Sequence, residues 1–182
     1  DNLRELNESR QTLKHQSQHD ALTGLPNRVL VNDRMTQAMT QARRNVGRMA
    51  LLFVDLDGFK AINDNHGHHT GDWLLSRVAE RMIGCVRAAD TIGRVGGDEF
   101  VVLLAFVEEV QDAVLVAEKI RAALKKSFEG EGLTLHISAS VGVAIYPDHG
   151  NNDTTLSRSA DQAMYQAKAR GGDCVVVAPD EV

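Results

Sequence analysis

The sequence is short of the features that would class it quickly. Its 182 residues hold two cysteines, Cys85 and Cys174, with no CxxC spacing, so neither a disulfide framework nor a zinc site is indicated. No apolar run approaches the ~18 residues of a membrane span, and no segment is built like a signal peptide. There is no surplus of positive charge: the formal net charge of −5 argues against a nucleic-acid groove or an anionic membrane surface as the main partner. A phosphate ligand would therefore need metal ions to hold it. Internal repeats and low-complexity segments are missing too. The chain begins at Asp1 rather than Met, which points to a segment of a longer protein.

What is present reads as one soluble globular domain, 43% hydrophobic and 25% charged. Residues 1–19 are polar, free of Gly and Pro, and helix-favouring. Leu3, Leu6 and Leu13 fit a heptad that Arg10 and Ser17 interrupt, so a solvated helix and a coiled-coil connector both suit a linker from something upstream. Gly24 and Pro26 break the chain, and Asn27 can cap a helix running to about Asn45. "MALLFVDLD" is apolar almost throughout and ends in acids, as a strand buried on both faces does. "GDWLLSRVAERMIGCVR" and "EEVQDAVLVAEKIRAALKKSF" have helical spacing. Gly96-Gly97, between "TIGRV" and "EFVVLLAF", is the strongest hairpin signal. "LTLHISASVGVAIY" is strand-like, Asp153 or Thr154 can cap a helix ending at Gly171-Gly172, and "CVVVA" is a last strand. The order helix, strand, helix, hairpin, helix, strand, helix, strand predicts an α/β (α+β) sandwich with a central mixed sheet flanked by helices.

Asp55 and Asp57, two apart at a strand end, leave the same face. Asp98 and Glu99 lie on the hairpin, and a hairpin beside that strand would gather three or four carboxylates. Like charges raise each other's pKa, so such a cluster becomes sensible around divalent cations. Singly, a DxD after a strand is often a loop start and Gly-Gly-Asp often a turn. Between the two motifs, Lys60 opens a short helix whose N–H groups can meet phosphate. Asn63 and Asp72 can together read the donor pair of a guanine edge. His66, His68 and His69 crowd a polar loop beside Gly67 without HExxH spacing, so they read as solvated.

With these residues in view, the chain resembles the GGDEF family, the diguanylate cyclases that condense two GTP into cyclic di-GMP. The matches run in family order: "DALTGLPNR" at Asp20–Arg28, "FVDLDGFKAINDNHGHHTGD" at Phe53–Asp72, "RVGGDEF" at Arg94–Phe100, "SVGVA" at Ser140–Ala144 and "ADQAMYQAK" at Ala160–Lys168. The resemblance implies a palm-like nucleotidyl-cyclase fold over residues 20–182, behind a signalling helix at 1–19. It implies metal ligands at Asp55, the Leu56 carbonyl, Asp98 and Glu99, holding two Mg2+ or Mn2+ ions per active site. Asp98 would help to deprotonate the attacking ribose hydroxyl, with Glu99 beside it in the catalytic set. Gly96 and Gly97 would leave room for substrate, Asn63 and Asp72 would contact guanine, and Phe59, Lys60 and Lys168 would hold the triphosphate. A homodimer, each half binding one GTP, would be required. "RAAD", Arg87–Asp90, has the spacing of the inhibitory site for cyclic di-GMP; its plain alternative is a surface ion pair of Arg87 with Asp90.

The implied setting is cytoplasmic, free-standing or as part of a membrane-anchored protein with an upstream sensor, with no nucleic acid and no membrane contact by this segment. The chain departs from the family where Gly172 and Asp173 stand in place of an arginine and an asparagine. Weakened GTP binding is the expectation there, and Gly172→Arg would then lower the KM. Two other readings stay open: a catalytically weak GGDEF module that binds GTP or cyclic di-GMP and regulates a neighbour, and a dimerising module in which nucleotide is incidental. Intact acids favour catalysis.

Overall fold

The structure, a computed structural model, describes residues 1–180. The leading helix α1 (Asn2–Gln18) buries none of its residues, and Leu3 and Leu13 are 77% and 64% exposed. The Asn27 side chain then accepts the first free N–H groups of α2 (Arg28–Arg44), those of Val29 and Leu30, which fixes the helix start.

Strand β1 (Arg48–Asp57) follows, then the short helix α3 (Phe59–His66), the longer helix α4 (His68–Ile83), the strands β2 (Thr91–Gly96) and β3 (Glu99–Val107), and α5 (Val110–Lys125). A three-residue pair, β4 (Phe128–Gly130) and β5 (Leu133–Leu135), precedes β6 (Ser138–Tyr146), α6 (Asp153–Ala169) and β7 (Cys174–Val177). The main sheet has the order β2-β3-β1-β6-β7; the first three pairings are antiparallel and β6 with β7 is parallel. This is the expected mixed sheet.

Alternation along the strands sorts the core into two layers. Leu52, Val54 and Leu56 of β1, with Phe100 and Val102 of β3, pack with Leu74, Val78 and Met82 of α4 and Ala117 and Ile120 of α5. Met49 and Leu51, with Val101 and Leu103, pack with Met35 and Met39 of α2 and Leu156 and Ala163 of α6. Truncating one of the larger of these side chains to alanine, Leu52 for example at 0% exposure, should cost ~2–5 kcal/mol. Gly142 lets α6 lie directly on β6, since a Cβ there would stand 2.2 Å from the Ala160 carbonyl oxygen.

Four local expectations differ from the structure. The helix predicted through Arg87 stops at Ile83 and starts earlier, at His68. Helix α5 ends at Lys125, because Phe128 leaves it to become a buried residue of β4. The long strand predicted from Leu133 divides at His136-Ile137 into β5 and β6. Asn152, rather than Asp153 or Thr154, caps α6 by accepting the Thr155 N–H at 2.9 Å.

Candidate active site

The carboxyl end of β1 lies at the centre of the sheet, with β3 on one side and β6 on the other. Its side chains alternate, so Asp55 and Asp57 both project on the α2/α6 face, continuing the row of Met49 and Leu51. Asp55 is paired in register with Glu99 across the hairpin side and with Ser140 across the other; Asp57 is paired with Ser138. The Leu56 N–H donates to the Asp98 carbonyl at 3.2 Å, which sets the hairpin turn beside the strand end.

These neighbours give the two aspartates different fates. Burial raises the Asp55 pKa to about 6; the Asp98 charge and, more weakly, the Glu99 charge add to the rise, and Lys168 at 3.4 Å opposes it. Burial pushes Asp57 up as well, but bonds from Lys168, Ser138, Ser140 and the Asp173 N–H outweigh it and hold Asp57 below its ordinary value. Those donors stand at 2.7, 2.7, 2.7 and 2.9 Å. Asp57 thus drops out of the carboxylate group expected around a metal, because its lone pairs are already engaged.

Asp55, Asp98 and Glu99 remain, with the Leu56 carbonyl. The side chains of Asp98 and Glu99 form no hydrogen bond or ion pair among the described residues. All the donors are oxygens, the set preferred by Mg2+ and Mn2+. Among the described residues no three acid, imidazole or thiol groups make a ready-made metal cage. The gathering of three or four carboxylates expected from a hairpin beside β1 is therefore not met by these side chains as they stand.

The hairpin presents its acids through a two-residue turn, Gly97-Asp98, between the paired Gly96 and Glu99. Neither glycine adopts a positive φ, so the turn does not demand glycine for its backbone. What glycine supplies is space: a Cβ on Gly97 would meet nothing within 4 Å. The turn is held from behind by Arg94, whose Nε donates to the Gly97 carbonyl at 3.0 Å while its guanidinium bonds Asp20 at 3.0 and 3.1 Å. Both partners are largely buried, at 17% and 20% exposure. The sequence held both residues inside quoted motifs, yet their separation of 74 positions left no signal to pair them.

On the other side of β1, Gly58 turns the chain at φ +82° directly into α3. Phe59 is buried there and Lys60 is exposed beside it at the helix start. Asn63 faces α4, where Gly71 admits it: a Cβ on Gly71 would stand 1.8 Å from Asn63 Oδ1. That Oδ1 is buried without a hydrogen-bond partner among the described residues, an acceptor awaiting a donor. Asp72, next to Gly71, is exposed. His66, His68 and His69 are exposed as well, and His69 meets only Glu131 at 3.4 Å.

Lys168 comes from α6 into the site, bonding Asp57 Oδ1 at 2.7 Å and the Leu56 carbonyl at 3.1 Å. Beyond it the Gly172-Asp173 turn closes on Asp57. Gly172 has φ +76°, and a Cβ there would stand 2.8–2.9 Å from the Asp57 carboxylate. Asp173, at φ +51°, is tied to α5 by Arg121 at 2.8 Å and by Lys125. Gly172 is therefore no open berth for an arginine. For Gly172→Arg to lower the KM, as expected from the sequence, the Asp57 carboxylate would have to move aside.

The Arg87–Asp90 turn lies elsewhere, beside a cleft of about 550 Å3 lined by Cys85, Phe106, Leu115 and Lys119 among others. Asp90 does not pair with Arg87 through its side chain. Its oxygens accept the backbone N–H groups of Arg87 at 3.0 Å and Ala105 at 3.2 Å, leaving the exposed guanidinium without a partner among the described residues.

Comparison with known proteins agrees with this architecture. The family described as "Diguanylate cyclase, GGDEF domain" matches residues 17–174. The chain is 51% identical over 153 residues to the bifunctional diguanylate cyclase/cyclic di-GMP phosphodiesterase MucR of Pseudomonas aeruginosa, covering 84% of this chain and 22% of MucR. The chain thus spans about a fifth of that relative's length. The crystal structure of the GGDEF domain of TpbB, also from P. aeruginosa, superposes with a TM-score of 0.85 at 38% identity, covering 87% of this chain and 99% of that one. The coiled coil and GGDEF domain of DgcB from Caulobacter crescentus, in complex with c-di-GMP, gives a TM-score of 0.88 at 25% identity, covering 97% and 94%.

Proposed function

The chain belongs to the GGDEF family of diguanylate cyclase domains, and from that premise we propose that it condenses two molecules of GTP into cyclic di-GMP and pyrophosphate. The observation that carries the reading is the hairpin turn beside the end of β1, where the Asp98 and Glu99 charges act on the half-buried Asp55 and, among the described residues, no donor satisfies the two hairpin acids. The unpartnered Asn63 Oδ1 supports guanine as the base.

Two copies are needed, each holding one GTP. The ribose 3′-oxygen of one nucleotide forms a bond to the α-phosphorus of the other, the bond from that phosphorus to the leaving pyrophosphate breaks, and the step is repeated in the opposite sense. Asp98, on the turn, accepts the 3′-hydroxyl proton, with Glu99 beside it. Asn63 and Asp72 orient guanine, Gly97 leaves open space above the turn, and Gly96, where a Cβ would stand 3.0 Å from Glu99 Oε2, leaves room for the Glu99 carboxylate. The N–H groups at Phe59 and Lys60, with the Lys168 ammonium, hold the triphosphate and offset charge on the leaving pyrophosphate. Bound at Asp55, the Leu56 carbonyl, Asp98 and Glu99, two Mg2+ or Mn2+ ions would supply Lewis-acid activation of the attacking oxygen and neutralisation of the leaving group.

Residues 1–19 would act as a linker helix that pairs two domains under a sensor elsewhere in the protein, residues 20–182 being the cyclase domain. Its unburied leucines support that role. Arg87, with its free guanidinium, would bind cyclic di-GMP as a feedback inhibitor while Asp90 shapes the turn. Cyclic di-GMP chemistry places the domain in the cytoplasm. No helix among the described residues is long and apolar enough to cross a membrane.

A second reading, a weak module that binds GTP or cyclic di-GMP and regulates a neighbour, draws support from Gly172 and from relatives named as cyclic di-GMP phosphodiesterases, such as NbdA of P. aeruginosa. One experiment separates them. The concentrated domain is incubated with GTP and Mg2+, and nucleotides are resolved by chromatography and mass spectrometry. Cyclic di-GMP that is lost in Asp98→Ala establishes the cyclase. No product at any protein concentration, with cyclic di-GMP still bound through Arg87, establishes the regulatory module.

A further inference from the structure

Lys168 and the proposed metal site lay claim to the same oxygens. An ammonium has three N–H donors, and those of Lys168 face Asp57 Oδ1 at 2.7 Å, the Leu56 carbonyl at 3.1 Å and Asp55 Oδ1 at 3.4 Å. The last two are the oxygens read above as metal ligands. A cation cannot share them with an ammonium at that range without strong like-charge repulsion. The third contact is of another kind. Asp57 takes two donors on each oxygen: Lys168 and Ser140 on Oδ1, Ser138 and the Asp173 N–H on Oδ2. Asp173 is in turn fastened to Arg121 of α5. Asp57 is thus fixed from four directions, while Leu56 and Asp55 hold Lys168 by the longer contacts.

We propose that Lys168 is an internal counter-ion pivoting on Asp57. It caps the Leu56 carbonyl and Asp55 in the structure seen here. Once those oxygens are given over to a divalent cation, it keeps Asp57 and turns its freed donors to the triphosphate. Asp57 is then a positioning residue that acts through Lys168. The Asp173 turn, where the family's arginine and asparagine are replaced, serves the pivot rather than the phosphates. The proposal rests on the cyclase reading only for the identity of Asp55 and Leu56 as metal ligands.

Competition predicts that deleting the lysine frees the site. The test titrates the nucleotide-free domain with Mn2+ alone, reading free ion by electron paramagnetic resonance, with cooperative thermal unfolding checked for each variant. Lys168→Met and Lys168→Gln should each bind Mn2+ about tenfold more tightly than the parent, the scale of one like charge removed from a half-buried site. Two side chains of different polarity are used so that a folding defect in one leaves the other to decide. Asp57→Asn should weaken Mn2+ binding, because Lys168 then leans wholly on Asp55 and Leu56. That loss should vanish in the Asp57→Asn/Lys168→Met double variant, a coupling that a merely structural Asp57 would not show. In turnover, Asp57→Asn should raise the KM for GTP more than it lowers kcat. Unchanged or weaker Mn2+ binding in both Lys168 variants overturns the pivot. If Mn2+ competition appears but the parent makes no cyclic di-GMP, the pivot stands and the cyclase reading falls.

Discussion

The two flanks of β1 treat carboxylates in opposite ways. Burial, with the charges of Asp98 and Glu99 on the hairpin side, pushes Asp55 up to about 6; toward β6, Asp57 is buried as well but receives two serine hydroxyls, an ammonium and a backbone N–H and is held low. Both aspartates come from one strand, on one face, separated by one residue. The difference lies in the neighbours: the next strand on one side ends in an acidic turn, and on the other it carries Ser138 and Ser140. A carboxylate left short of donors is held ready for a ligand, whereas a saturated one has become part of the scaffold.

The largest expected effect breaks the comparison at the starved member. Asp55→Asn should lower cyclase turnover by about a thousandfold, the scale of removing a group that stabilises developing charge. It should leave the domain equally or more stable in denaturant, because a repelled carboxylate is gone. The pH dependence has a defined sign. The folded pKa of Asp55 lies above the ordinary 3.8, so ionisation costs stability, and in EDTA this group should make the domain more stable as pH falls from about 6 toward 3.8. Asp57 runs the other way: its folded pKa lies below 3.8, so its contribution is full above 3.8 and is lost as pH falls through the folded value. Urea titrations of the two Asn variants across pH 3–7 check both slopes.

Next in size are changes on the saturated flank. Asp57→Asn should destabilise the domain by ~2 kcal/mol, the worth of charge-assisted bonds lost to Lys168 and the serines. Gly172→Arg should cost ~1–3 kcal/mol through its positive φ and its contact with Asp57, and should leave the KM for GTP unimproved. Thermal unfolding beside steady-state kinetics reads both. A stable Gly172→Arg variant with a lower KM would show that the turn can open, and the contrast between the flanks would then be softer than the packing implies.

Much of this was legible in advance. Apolar runs and helical spacing predict the mixed sheet, and the acids that end "MALLFVDLD" and stand in "GGDEF" point in the sequence itself to the candidate site at the end of β1. The breaks were less visible. The apolar spacing runs on past Ile83, where only Gly84, the C-cap, signals the stop, and Phe128 suits a helix until β4 forms, with Trp73 close to where a Cβ on Gly130 would stand. Asp57 could be counted as a fourth carboxylate of the group because its strand position matches that of Asp55. Its partners come from residues 138, 140, 168 and 173, more than eighty positions away, and period-two alternation cannot say what waits across the sheet. Arg94 with Asp20 and Gly172 against Asp57 were hidden for the same reason.

The smallest expected effect extends the contrast to a second place. At the Arg87–Asp90 turn the acid is satisfied, by the N–H groups of Arg87 and Ala105, and the base is the group left without a partner. If unsatisfied charge marks function here too, the two residues should separate cleanly. Asp90→Ala should destabilise the domain by ~1–2 kcal/mol, since it orphans two backbone donors. Arg87→Ala should change stability by less than ~0.5 kcal/mol, as an exposed side chain with no hydrogen bond or ion pair among the described residues does. In calorimetric titration the same Arg87→Ala variant should lose cyclic di-GMP binding at this turn, and turnover should no longer slow as product accumulates. Destabilisation by Arg87→Ala, with feedback intact, would mean that the plain surface role is the true one, and that a missing partner marks function only at the end of β1.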